Sequence, residues 1–256
     1  MTEALPSFAL DNQVALVTGA ARGIGRAIAL GLAAAGADVA LGLRVRTSAP
    51  DLVAEIEDIG RRALPLQMDV TALDQIEAAV AAAEAHFGRI DILVNNAGLA
   101  VVSPAEDVIE ADYDVPMDVN LKGAFFASQA AGRRMIARRS GCIVSISSQA
   151  GRVALSGVAP YCMSKAALDH MTRCLAVEWG PHNVRVNAVA PTFIMTDGTR
   201  PYLEEPEFRA RTLAKIPLGH TGEPLDVVGA VVFLASPAAR MITGASLLID
   251  GGWTSV

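Results

Sequence analysis

From Val14 onward the chain alternates short β-rich runs with longer stretches of helical pattern, a rhythm few folds accommodate. Strands are predicted at Val14–Thr18, Val39–Leu43, Ala63–Met68, Ile90–Val94, Cys142–Ile146, Val184–Val189 and Ser246–Ile249. Helices are predicted at Gly25–Ala35, closed by Gly36, at Asp51–Gly60, Leu73–Phe87, closed by Gly88, Gly123–Arg138 and Ser164–Trp179. The strands are apolar almost throughout instead of alternating, so both faces of their sheet must be covered. That pattern predicts an α/β fold, a doubly wound parallel sheet with helices on both faces. With no repeat and no low-complexity linker, residues 1–256 are expected to form a single domain. The longest irregular stretch, about 191–222, reads as a lid-like excursion or a surface insertion, with one helix around Pro206–Lys215.

Composition removes several classes of function. The chain is 52% apolar, enough for a sizeable core, yet no apolar run approaches the roughly 18–20 residues needed to span a bilayer. Met1–Asn12 carries Glu3 and Asp11 and lacks a basic segment followed by an apolar one, which argues against a secretory leader. A net charge of −6 without a basic stripe disfavours nucleic-acid binding. Cys142, Cys162 and Cys174 form no CxxC pair, and His86, His170, His182 and His220 are scattered. Reduced thiols in a cytoplasmic protein, and no metal site, are the expectation.

The stretch "TGAARGIG", Thr18–Gly25, follows the first strand and opens the first helix. In a doubly wound sheet that turn faces the crevice where ligands bind. Gly19 permits the sharp turn, while Gly23 and Gly25 allow close backbone approach and helix-on-strand packing. The helix N-terminus offers free N–H groups and a positive dipole end to a pyrophosphate.

Three stretches in order, TGxxxGxG at Thr18–Gly25, "NNAG" at Asn95–Gly98 and "YCMSK" at Tyr161–Lys165, resemble the short-chain dehydrogenase/reductase family. The resemblance runs from about Val14 to "IDGGW" at Ile249–Trp253 and implies a Rossmann-like fold. It implies reversible hydride transfer between a nicotinamide and the carbon of a ketone or secondary alcohol, with the hard chemistry carried by the cofactor. It also implies a catalytic tetrad of Asn120, Ser148, Tyr161 and Lys165. Tyr161 and Lys165, four apart on a predicted helix, share a face. A phenol ordinarily titrates near 10, too high for easy proton exchange at neutral pH, and a nearby ammonium is expected to lower it. By the family's spacing Ser148, thirteen residues before Tyr161, holds the substrate oxygen. Asn120, in "VNL", anchors a water in a proton relay behind the lysine, or is simply a helix-interior amide satisfying backbone.

The resemblance extends to the cofactor pocket, expected to comprise Gly19, Arg22, Gly23, Ile24, Gly25, Arg44, Asp69, Val70, Asn96, Tyr161, Lys165, Ile194 and Thr196. At the end of the second strand, where an acidic residue would accept from the 2′-hydroxyl of NAD, stands Leu43. Arg44 follows it and Arg22 lies within the glycine loop; two guanidinium groups suit a 2′-phosphate, so NADP(H) is favoured and NAD(H) remains open. Asp69 resembles the residue that contacts the adenine amino group, with Val70 and Asn96 lining the same pocket. Ile194 and Thr196 match positions that hold the nicotinamide carboxamide, and Thr192 replaces a usual glycine.

For the substrate, Gln149, Arg152, Val153, Leu155, Phe193 and the segment Thr199–Tyr202 are candidate contacts. An NADPH-dependent ketone or 3-oxoacyl reductase is the leading expectation, with a sugar or polyol dehydrogenase using NAD as the alternative. A non-catalytic dinucleotide sensor is remote, because the tetrad is intact. "GRRMIARRS" at Gly132–Ser140 carries four arginines that either dock an acidic acyl carrier protein or form a solvated helix end. The resemblance also implies a homo-oligomer, dimer or tetramer, through the helices around Gly123–Arg138 and Lys165–Trp179.

Overall fold

In a computed structural model the chain is described over residues 6–255; the stretch read for a leader, Met1–Asn12, falls partly outside them. The elements run β1 (Val14–Thr18), α1 (Gly23–Ala34), β2 (Asp38–Leu43), α2 (Pro50–Asp58), β3 (Ala63–Gln67), α3 (Leu73–Phe87) and β4 (Ile92–Asn95). They continue α4 (Glu110–Pro116), α5 (Ala124–Arg138), β5 (Gly141–Ile146), α6 (Ala159–Trp179) and β6 (Val184–Pro191). The last are α7 (Arg200–Leu203), α8 (Pro206–Leu213), α9 (Pro224–Ala235) and β7 (Ser246–Ile249). All strands are parallel and form one seven-stranded sheet in the order β3-β2-β1-β4-β5-β6-β7.

Successive residues of a strand point to opposite faces, and the two cores follow that rule. Ala15 and Val17 of β1 join Ile28 and Leu32 of α1, Ile56 of α2 and Val231 and Leu234 of α9. Leu16, between them, joins Val80 of α3, Ala127 and Ala131 of α5, and Leu168 and Leu175 of α6. With a core on each side, every position of β1 and β2 is buried, which is why these strands are apolar apart from Thr18 at the end of β1 and Asp38 at the start of β2.

The structure adds helices α4 and α9, which the pattern did not predict, and departs from expectation in three further places. Helix α6 begins at Ala159, five residues before the predicted start, with Pro160 in its first turn where a missing N–H costs nothing. Between α4 and α5 the chain winds as a π-helix over Met117–Gly123, following Pro116. The 191–222 excursion holds two helices, α7 and α8, and a bridge between Ile194 and Gly222 closes its base. Phe193 stands edge-on to Phe208 of α8 at 5.6 Å and packs against Trp253 at 5.7 Å, pinning the excursion to the C-terminal segment. No helix among the described residues is long and apolar enough to cross a membrane.

Candidate active site

The strand order reverses between β1 and β4, and the crevice of such a sheet lies beyond the carboxyl ends of its strands there. Gly19 follows β1, Arg44 follows β2, Asn96 follows β4, Ser148 lies just past β5 and Ile194 just past β6. The sheet thus delivers the separated motifs to one edge.

The glycine turn is held from within. Gly19 and Gly23 adopt positive φ, 65° and 56°. Asn96 Nδ2 donates to the carbonyls of Thr18 (2.9 Å) and Gly19 (3.1 Å). The backbone N–H groups of Asn96 and Ala97 both donate to Thr18 Oγ1, each at 3.0 Å. Asn96, expected to line the adenine pocket, therefore has both amide hydrogens committed to the turn, and it acts here as a brace. Thr18 is its partner, its hydroxyl accepting both backbone N–H groups, a role that a glycine motif does not announce. Thr196 sits against the turn from the other side, its methyl 3.4 Å from where a Cβ of Gly23 would lie.

The residues present fit a dinucleotide. The turn is a bare-backbone cradle under the N-terminus of α1, and Ile24 is partly buried in that helix's first turn. Arg22 and Arg44 are exposed, and neither guanidinium has a hydrogen bond or ion pair among the described residues. Leu43 is fully buried and offers no acceptor. Asp69 Oδ1 accepts from the Thr71 N–H (2.9 Å) and hydroxyl (2.7 Å), and these bonds, helped by Arg44, hold its carboxyl below the usual range. Val70 is buried against Gly123 at the head of α5. The hydroxyl of Thr192 is buried and has no hydrogen-bond partner among the described residues.

The four tetrad positions come together. Ser148 Oγ donates to Gln149 Oε1 (2.8 Å) and accepts from the N–H of Ala150 (3.1 Å), capping a short 3₁₀ turn. Lys165, 4% exposed, points Nζ at the Ile146 carbonyl (2.8 Å) and lies 5.7 Å from the Tyr161 ring centre. That carbonyl is its one hydrogen-bond partner among the described residues, so two N–H groups are left over. Asn120, within the π-helix, accepts from the Leu99 N–H (2.9 Å) and donates to the Leu99 carbonyl (2.9 Å) and to Ser164 Oγ (3.0 Å). A Cβ at Gly98 would lie 3.2 Å from Asn120 Oδ1 and 3.4 Å from Lys165 Nζ. Both polar atoms therefore look onto the bare Cα of "NNAG".

One electrostatic expectation is reversed. Burial pushes the Tyr161 hydroxyl above its usual range, with the Ser148 hydroxyl pulling the other way. Lys165, whose ammonium donates to the Ile146 carbonyl, is not among the groups that set this direction. Burial lowers Lys165 to about 8, with Asp169 opposing.

The arginines of Gly132–Ser140 are spent inside the chain. Arg134 pairs with Glu77 and Glu84, both at 2.8 Å, and Arg138 reaches Asp91 at 3.6 Å. Arg139 donates to the Pro181 carbonyl (2.8 Å) and Arg133 to Gln129 (3.1 Å).

A glycine turn beneath a helix N-terminus, facing a Tyr–Lys pair on the same sheet edge, defines a nicotinamide-dependent oxidoreductase. The chain belongs to the short-chain dehydrogenase/reductase family: the family model described as enoyl-(acyl carrier protein) reductase matches residues 19–254. It acts on CH–OH groups with NAD or NADP, interconverting an alcohol and a carbonyl compound. The chain is 43% identical to the NAD-dependent glycerol dehydrogenase of Listeria innocua over 248 residues, 96% of each chain. It is 44% identical to the D-threitol dehydrogenase of Mycolicibacterium smegmatis, covering 96% of this chain and 95% of the relative. The gluconate 5-dehydrogenase of Burkholderia cenocepacia, solved in complex with NADP and tartrate, superposes with a TM-score of 0.95 at 37% identity, covering 99% of this chain and all of the other.

Proposed function

We propose that this protein is an NADP(H)-dependent dehydrogenase of a small polyol or sugar-derived hydroxy compound. The observation that carries the reading is the buried lysine, whose Nζ has one hydrogen-bond partner among the described residues and faces Tyr161 beside Ser148. When bound, the nicotinamide accepts or supplies the hydride. Tyr161 Oη takes or gives the proton of the substrate hydroxyl. Ser148 donates to the same oxygen after turning from Gln149, steadying the charge that develops there. A water between Asn120 Oδ1 and Lys165 Nζ replaces the proton.

Gly19, Gly23, Ile24 and Gly25 hold the pyrophosphate, Asp69 and Val70 the adenine, and Ile194 and Thr196 the carboxamide. Arg22 and Arg44, exposed and without an ion pair among the described residues, stand beside apolar Leu43 and favour a 2′-phosphate. The polyol class is favoured over an acyl-carrier thioester by the names of the relatives and by the intrachain pairing of Arg134 and Arg138. Phe125, Phe126, Ile136, Met171 and Trp179 line an apolar groove between α5 and α6 that suits a second copy of the chain, as a dimer or tetramer in the cytoplasm.

The test is nicotinamide absorbance with purified protein, crossing NADP+ and NAD+ with glycerol, tetritols and hexonates, and NADPH with an acetoacetyl thioester. Polyol oxidation with NADP+ is expected. Turnover of the thioester alone overturns the substrate reading.

A further inference from the structure

On α6, one turn beyond Lys165 and on the same face, stands a second buried charge that the tetrad does not use. Asp169 is 5% exposed and Lys165 4%. The carboxylate has a single hydrogen bond among the described residues, from Ser246 Oγ of β7 at 3.1 Å. A carboxylate so far from water carries a large desolvation cost that one neutral hydroxyl does not offset. Its placement calls for a positive charge within reach, and i and i+4 side chains of a helix are neighbours.

The other groups around this pair leave the assignment clear. Against Lys165 stand Tyr161 on its own helix, the Ile146 carbonyl at the end of β5, the uncharged Ser147 and Ser148, and the amide of Asn120 beside Gly98. None is a carboxylate. Around Asp169, Arg152 is committed to the Ser246 carbonyl (2.7 Å), and Arg173, one turn further on, lies 3.3 Å from His170 Nδ1. Among the described residues no cation forms an ion pair with Asp169, Lys165 included, so the influence of the carboxylate on Lys165 acts as a field across the buried interior and not through contact.

We propose that Asp169 is a positioning residue for the reaction: fixed by Ser246, its carboxylate sustains the positive charge of Lys165. The hydrogen bond from β7 sets the carboxylate's rotamer, so the sheet edge and the proton-handling helix are coupled through one side chain. Burial drives Lys165 toward neutrality and Asp169 opposes it, in keeping with the burial of both. The inference rests on the role proposed above for Lys165, and the measurement below reads that residue directly, without turnover.

The chain has three lysines, Lys122, Lys165 and Lys215, and the first and last are exposed. Protein labelled with 13C and 15N in lysine therefore gives three side-chain signals whose midpoints can be followed from pH 6 to 11 by NMR. The Lys165 midpoint is expected near 8 in the parent. In Asp169→Asn it should fall by about one unit or more, with Lys122 and Lys215 unmoved, and Asp169→Glu should restore it at least partly. The alkaline limb of the oxidation rate should move down with it. An Asp169→Asn midpoint equal to the parent's overturns the proposal and leaves Asp169 a strut between α6 and β7. Asp169→Ala repeats the test if the asparagine variant does not fold. If the midpoints behave as expected while Tyr161→Phe retains full turnover, the functional reading fails and this inference stands.

Discussion

Asn96 occupies the space that a side chain at Gly25 would need: a Cβ there would lie 2.3 Å from Asn96 Nδ2 and 2.4 Å from the Gly19 carbonyl oxygen. The third glycine of the turn is thus required by the protein's own brace, before any ligand arrives. Gly25→Ala must displace either Asn96 or the turn, and overpacking of this kind costs about 1–3 kcal/mol. Thermal unfolding should shift down by about 3–10 °C, and dinucleotide binding, followed by fluorescence, should weaken at least about tenfold. A variant with parent-like melting and binding would show that the turn yields freely.

Tyr161→Phe removes the proton-carrying oxygen and leaves the ring. Turnover should fall by about a hundred- to ten-thousand-fold, while dinucleotide affinity changes little. Substantial residual activity would reassign the proton donor.

Arg44→Ala tests the cofactor preference. A charge-assisted contact to a phosphate is worth about 1.5–3 kcal/mol, so NADPH should bind about ten- to a hundredfold more weakly and NADH nearly as before. Equal losses for both would remove Arg44 from the 2′-phosphate site.

Lys165 gives stability a signature in pH. Its folded-state value, about 8, lies below the ordinary 10.5, so between these pH values the unfolded chain holds a proton that the folded chain has lost. Stability from this group therefore rises with pH across that window. Tyr161 and Cys142, both raised by burial, act oppositely at higher pH and are common to parent and variant. The melting temperature of the ligand-free parent, relative to Lys165→Met, should increase from pH 7.5 to 10. A difference independent of pH would mean that Lys165 titrates as an exposed lysine.

The sheet and the site frame were readable because apolar strands buried on both faces leave a strong signal and each motif follows a strand. Helix α4 and the π-helix were harder to see: Pro116 interrupts the pattern and the wider winding shifts its period away from 3.6. The first turn of α6 carries little apolar signal, because Tyr161, Cys162 and Met163 are not in the buried stripe, which begins in earnest at Ser164. The capping box of Glu223 and Asp226, with Pro224 between them, was a legible start for α9 that periodicity alone did not deliver. Other features depend on distant partners. The brace by Asn96 acts on backbone carbonyls, which carry no residue identity, and the arginines near Arg134 meet acids some 50 residues upstream. The direction of the Tyr161 shift depends on burial, which a spacing of four cannot express.

Thr18 and Asn96, joined by a hydrogen bond, stand 78 positions apart in the chain. During synthesis, a chain that has emerged only through α2 possesses every glycine of its phosphate turn and none of the amide that fixes them. Closing a loop of that length onto β1 is entropically costly, and non-local pairing of this kind slows folding. The segment made first is therefore completed late, and the first moment at which a nascent chain can be retained on immobilised dinucleotide marks the docking of β4.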